Sequence, residues 1–358
     1  MNGDVQVPGV KVGEQFHATG WVPYPEAAEK FEARLRAEGR AVTFEEAAPR
    51  ILARFAGADS PRFYWDSERA VLGRVLASWD QKQVGACVGF GYGRAVQDVM
   101  LNEIADGEPE KYPGTEVCPE VIYGGSRVEV GQGRLAGSDG SVGAWASQWV
   151  KDWGVVVRGR YGALDVREYD ETTCRRLGDR GVPDDVEALA RVHPITEVAR
   201  LTTADGLWAA LGAGKGVPVC SMQGFTMRRD ADGFCPRSGS WGHCMVYRGR
   251  FVHPTRGRCV VVQNSWGAYL EAAGNRTVRH TADDGTTNTF ELPEGCFCVP
   301  LAVTQEALNA GDTYVLAGLT GWAADPDPLP PKPPTPGDGW SGTVVYANGA
   351  IQSVTPRG

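Results

Sequence analysis

No stretch of this 358-residue chain carries a run of lysine and arginine, and none approaches the roughly 20 consecutive apolar residues a membrane span requires. The basic residues lie scattered among acids, as in Arg34, Arg36, Glu38 and Arg40, and the net charge is −8. Phosphate binding needs clustered cations, so neither a nucleic-acid nor a membrane partner is expected. The opening residues, Met1-Asn-Gly-Asp-Val-Gln-Val-Pro8, lack a basic region followed by an apolar stretch. No secretory signal is therefore expected, and a cytoplasmic or virion- and assembly-associated location is. Histidine is scarce, with five residues, so any catalytic imidazole must come from a short roll.

Zinc-knuckle spacing is missing as well. The nine cysteines, an odd number, run irregularly from Cys87 to Cys298, and Cys296-Phe-Cys298 is too tight for the usual ligand step. Without an export signal the thiols should be reduced and mostly buried. The sequon Asn275-Arg-Thr277 is then coincidental. Apolar residues make up 42% and charged residues 22%, an ordinary globular balance with ample material for a core.

Helical patterns dominate the first half. Pro25 opens a stretch that stops at Gly39. Thr43-Phe-Glu-Glu46 reads as a capping box before Ala47, Ala48, Ile51, Leu52 and Phe55 on one face, with Pro49 as a possible kink. A strong helix starts at or just before Cys87, with Phe90, Ala95, Val96, Val99 and Met100 on its apolar side. The Gly-rich stretch Tyr123 to Gly143 reads mostly as loop, and Val142 to Trp153 as the next helix. From about Val217 the texture turns to strands, at Val217–Met222, His243–Tyr247 and Cys259–Gln263. Helices first and strands later imply an α+β chain in two segregated halves. Seven prolines between Pro326 and Pro336 suggest an extended linker, followed by a hairpin turning at Asn348-Gly349.

Three segments carry chemistry. In Trp79-Asp-Gln-Lys-Gln-Val-Gly-Ala-Cys-Val-Gly-Phe90, a cysteine at a helix start gains from the dipole, which favours thiolate. Gly85 and Ala86 leave its sulfur uncovered. Gln81 could reach back so that its amide and the Cys87 N–H form two oxyanion donors. A buried core thiol is the competing reading of Cys87. In Trp241-Gly-His-Cys-Met-Val-Tyr247, His243 could hold the thiol proton, although a lone histidine is as readily structural. His17, His193, His253 and His280 lack such context and read as structural or surface residues. In Val261-Val-Gln-Asn-Ser-Trp-Gly267, Asn264 could orient the imidazole and Trp266 could shield that bond, or the segment could be a plain strand end.

Taken together, Gln81, Gly85-Ala86-Cys87, Gly242-His243 and Asn264-Ser265-Trp266-Gly267 resemble the motifs of the papain-like cysteine peptidases, in that family's order. The resemblance spans roughly residues 76–305. It implies a two-lobed α+β fold, with the nucleophile helix in a helical lobe, an antiparallel sheet or barrel in the other, and an extended peptide in the cleft between. Catalytic Cys87, His243, Asn264 and Gln81 follow from it, with Gly140, Ser141, Trp266 and Gly242 facing substrate. Gly140-Ser141 is similar to the family's backbone-presenting Gly-Gly pair, with Ser in the second place. No metal or organic cofactor is implied. Val84 stands where secreted members carry a half-cystine, and Val88 where an aromatic is usual, a pattern closer to divergent bacterial and phage members. The implied division is an N-terminal extension (1–75), a peptidase domain (76–310), a connector with the Pro-rich linker (311–337) and a terminal hairpin (338–358), which could tether a larger assembly. An inactive papain-fold binding module and a cell-wall amidase or endopeptidase are the alternatives.

Overall fold

The computed structural model describes residues 9–12, 15–53, 59–270, 274–322, 342–347 and 350–356. Among the described residues ten α-helices run in chain order: α1 (Pro25–Ala37), α2 (Phe44–Ile51), α3 (Tyr64–Leu72), α4 (Cys87–Ala105), α5 (Pro119–Gly125), α6 (Gly143–Asp152), α7 (Glu171–Arg180), α8 (Asp184–Ala190), α9 (Ala204–Gly212) and α10 (Leu301–Leu308). Local signals explain several ends. Pro25 starts α1, and both hydrogen bonds of the capping box between Thr43 and Glu46 hold the start of α2. Pro49 sits inside α2, whose helix ends at Ile51; Phe55 lies outside the described residues.

The strand-rich half is built on one long strand, Arg237–His253. It pairs antiparallel with Val217–Phe225, Arg62–Phe63, Gly257–Gln263 and Thr277–Thr281, and the sheet continues to Cys296–Pro300 and Thr287–Glu291. Helix α4 packs against this strand on one side and against α3 and α5 on others. Every residue from Cys87 to Asn102 is buried. A helix buried all round must satisfy its polar side chains internally. Gln97 Oε1 accepts from Val117 N at 2.8 Å, and Asn102 Nδ2 donates to Gly214 O at 2.9 Å. Arg94 and Asp98 join Glu68 of α3 and Arg248 of the long strand in a buried ion cluster. The architecture is thus α+β, with α4 wedged against an antiparallel sheet.

The stretch Tyr123 to Gly143 is irregular from Gly131 to Val142, as expected, but its first part is helical through Val130, because α5 runs on into a π-helical turn at Ser126–Val130. Its glycines serve packing: a Cβ at Gly124 would meet Leu177, and one at Gly125 would meet the Trp149 ring at 2.2 Å. All nine cysteines are free and buried. The strands Gly342–Ala347 and Ala350–Pro356 form an antiparallel pair; their turn residues 348–349 and the Pro-rich stretch 326–336 lie outside the described residues. Among the described residues no helix is long and apolar enough to cross a membrane.

Candidate active site

Cys87 is the first residue of α4, after the N-cap Ala86. The turn before it is tightly specified. Lys82 adopts φ +49°, its N–H donating to Asp80 Oδ1 at 2.8 Å, and Gly85 N donates to Asp139 Oδ2 at 2.7 Å. Arg175 grips both oxygens of Asp139 at 2.8 Å. A Cβ at Gly85 would meet Thr19 O at 2.6 Å and Asp139 Cβ at 2.7 Å, so only glycine fits there. The Cys87 sulfur accepts from the Cys244 N–H at 3.4 Å. Burial, then the neighbouring Cys244 thiol, push the Cys87 thiol well above its usual range.

His243 and Asn264 meet because of strand register. Val246 pairs with Gln263, so continuing by one residue sets Asn264 beside Met245, on the face that also carries His243. His243 Nε2 lies 2.7 Å from Asn264 Oδ1, which also accepts the Ser265 N–H at 2.7 Å. The backbone donor identifies that atom as the amide oxygen, so His243 carries its proton on Nε2 and Nδ1 offers a lone pair. Nδ1 is buried with no hydrogen-bond partner among the described residues. Burial outweighs the Asn264 bond and lowers the imidazole pKa to about 4. Trp266 covers the ring, with centroids 4.8 Å apart and planes at 31°.

Gln81 is fully buried. Its Oε1 accepts from Ser265 Oγ at 2.6 Å, while Nε2 donates to Ala18 O at 3.1 Å and Val84 O at 2.9 Å. Ala18 O also takes the Trp266 indole N–H at 2.9 Å. A carbonyl oxygen from the N-terminal segment thus lies on the Gln81 amide, where a substrate carbonyl could lie.

That segment, Ala18–Val22, belongs to the N-terminal extension, whose relation to the cleft the sequence leaves open. Gly20 N and Trp21 N donate to Gly242 O at 3.0 and 2.9 Å. Ser141 N donates to Gly20 O at 2.8 Å, and Val22 N to Ser141 O at 2.9 Å. Gly140 and Ser141 therefore face this chain with their backbone. Gly140 needs φ +110°, and a Cβ on it would meet Gly20 O at 2.8 Å. The Ser141 side chain turns away to Ser126 Oγ at 2.7 Å, and Arg127 holds the Gly140 carbonyl. A Cβ on Gly20 would lie 2.0 Å from Gly85 O, and the Gly20 N–H also faces the Cys87 sulfur. His17, read as structural, stacks on Trp266 at 4.8 Å. The structure thus brings Cys87, His243, Asn264, Gln81, Trp266, Gly242, Gly140 and Ser141 around one strip of chain. Asp139, Arg127 and Ala18–Val22 were missed; glycine density at 20, 85 and 140 was the only signal for the close approach.

No protein-family model and no curated protein matches this chain. Among solved structures it is similar to xylellain, a cysteine protease from Xylella fastidiosa (15% identity, 87% of this chain and 94% of that one, TM-score 0.47). It is also similar to digestive procathepsin L 3 of Tenebrio molitor larval midgut (14% identity, 83% and 90%, TM-score 0.47). A third is proCathepsin B S9 from Trypanosoma congolense (9% identity, 87% and 86%, TM-score 0.45).

Proposed function

We propose that this chain is a papain-like cysteine endopeptidase held in a closed, latent form by its own residues 18–22. The observation that carries the reading is the histidine between two fixed neighbours. Asn264 Oδ1 accepts a hydrogen bond from the Nε2–H at 2.7 Å, leaving the buried Nδ1 of His243 as a base without a partner among the described residues, one residue from Cys244, whose N–H meets the Cys87 sulfur. His243 Nδ1 takes the Cys87 thiol proton, and the thiolate attacks the scissile carbonyl carbon, forming a C–S bond. The oxyanion takes the Cys87 N–H and the Gln81 amide now given to Ala18 O. The amine leaves with the proton from His243, and water hydrolyses the thioester.

Latency follows from the same contacts. With Ala18–Val22 in place, both groups are desolvated and stay neutral, and the sulfur faces the Gly20 N–H rather than a carbonyl carbon. A binding module without activity would share this closed form, and the test separates the two. Gly20→Ala drives a methyl into Gly85 O and dislodges the strip without touching the triad. The variant should hydrolyse an unstructured peptide and label at Cys87 alone with an epoxysuccinyl inactivator. Adding His243→Ala should slow labelling by roughly a hundredfold or more, the scale of a positioned acid–base group. Labelling scattered over several cysteines, or indifferent to His243, would refute the peptidase reading.

A further inference from the structure

Trp21 is the largest side chain of the strip and is buried in the molecule. It is 5% exposed, and its indole Nε1 donates to Asp312 Oδ2 at 2.7 Å. Asp312 is itself 5% exposed, and its remaining bonds go to the N–H groups of Gly143 and Ala144, the first two residues of α6, at 2.7 Å each. Capping a helix start explains part of that carboxylate's place. It does not explain the indole. Three neutral N–H donors are all it has: among the described residues no Lys, Arg or His pairs with it. Its other polar neighbours, Tyr92, Cys220 and Tyr314, bring no countercharge. A buried carboxylate without a cation is costly, and burial accordingly pushes Asp312 up to about 6.

The pocket opens beside the site. Trp21 N bonds Gly242 O, next to His243, and Trp21 lies opposite Ser141, next to Val142 at the N-cap of α6. When the strip leaves, an indole-sized space remains, reached from the cleft and ending on a carboxylate that has lost one donor. An apolar side chain entering it would leave Asp312 unpaired. A basic side chain would supply both the missing hydrogen bond and the missing charge.

We propose that the Trp21 pocket is a specificity subsite for a lysine or arginine side chain of the substrate, with Asp312 as its determinant and Trp21 as an internal plug. This inference rests on the peptidase reading for its substrate, and it is tested first without activity. In the full chain, Trp21→Gly vacates the pocket. Butylguanidinium and indole should then raise the melting temperature by about 3 °C or more at saturating concentration, and ethylbenzene should not. Adding Asp312→Asn should abolish the butylguanidinium effect and retain that of indole, which needs only an acceptor. Equal stabilisation by ethylbenzene, or a guanidinium effect that survives Asp312→Asn, would overturn the proposal.

The second readout is the rate at which epoxysuccinyl peptides carrying arginine or norleucine label Cys87. It is run in Trp21→Gly and also in Gly20→Ala, which keeps Trp21, so poor folding of one variant leaves the other. Arginine should win by roughly tenfold or more, the value of one charge-assisted bond, and lose that lead in Asp312→Asn. Labelling without preference sinks the subsite alone. Absent labelling, with the ligand preference of the pocket intact, sinks the peptidase reading and leaves a basic-side-chain binding site.

Discussion

His243 and Asp312 are both withdrawn from water, and burial shifts their proton affinities in opposite senses. The Asp312 carboxyl is raised from 3.8 to about 6, and the His243 imidazole is lowered from 6.5 to about 4. For Asp312 the folded state holds the proton more tightly, so its contribution to stability is present below pH 3.8 and lost as pH rises through 6. For His243 the folded state holds it less tightly. Its contribution is present above pH 6.5 and lost as pH falls through 4. Each shift is worth on the order of 3 kcal/mol, so the two slopes nearly cancel between pH 4 and 6. Single variants should unmask them. Relative to the parent, Asp312→Asn should lose stability on going from pH 6.5 to 4, and His243→Gln should gain it, each by on the order of 3 kcal/mol in urea unfolding. Comparing each variant with the parent removes the part due to Glu129, which burial also raises. Changes of the same sign in both variants would mean that these two groups do not set the acid side of the stability curve.

At the scale of elements, the ion cluster joins three segments far apart in sequence. Glu68 of α3 accepts from Arg94, Arg248 and Leu76 N, while Asp98 takes the Arg248 fork at 2.8 to 3.1 Å. All four side chains are at most 4% exposed. Breaking such a cluster strands a charge, so Glu68→Gln should cost about 3–5 kcal/mol. Pairing it with Arg94→Leu should recover part of that loss, giving a coupling energy in a double-mutant cycle. Simple additivity of the two losses would show that Glu68 and Arg94 act independently. Nothing in the sequence paired these residues, because Glu68 and Arg248 are 180 positions apart and ion partners leave no periodic trace. What was legible had local causes: Pro25 before α1, the Thr43–Glu46 box, the apolar side of α4, and the runs around Val217, His243 and Cys259. The helix through Val130 was missed because glycines 124 and 125 read as breakers, when they are small so that Leu177 and Trp149 can approach. The motifs of the candidate site were legible for the complementary reason that the proposed chemistry would demand particular residue types at Gln81, Cys87, His243 and Asn264. Residues 18–22 contribute mainly backbone, and backbone contacts select few side chains.

At the scale of the whole molecule, the closed cleft makes any reaction of Cys87 a two-step event. The strip must leave before a reagent can enter, and only the open fraction reacts. Four main-chain hydrogen bonds hold it, two to Gly242 O and two to Ser141. At a net 0.5–1.5 kcal/mol each, they alone would reduce the open fraction to between roughly one in thirty and one in twenty-five thousand. Trp21 burial adds to that hold. For the parent chain, the observed labelling rate should therefore rise with epoxysuccinyl inactivator concentration and then level off at the opening rate. In Gly20→Ala, where the strip cannot seat against Gly85, the rate should stay linear over the same range and exceed the parent's at low concentration by roughly thirtyfold or more. The plateau should not move with protein concentration, because the strip belongs to the same chain as the cleft it fills. A parent rate as linear and as fast as the variant's would mean that the strip does not gate Cys87. A plateau that falls as protein concentration rises would mean that the cleft is filled by a neighbouring molecule in solution.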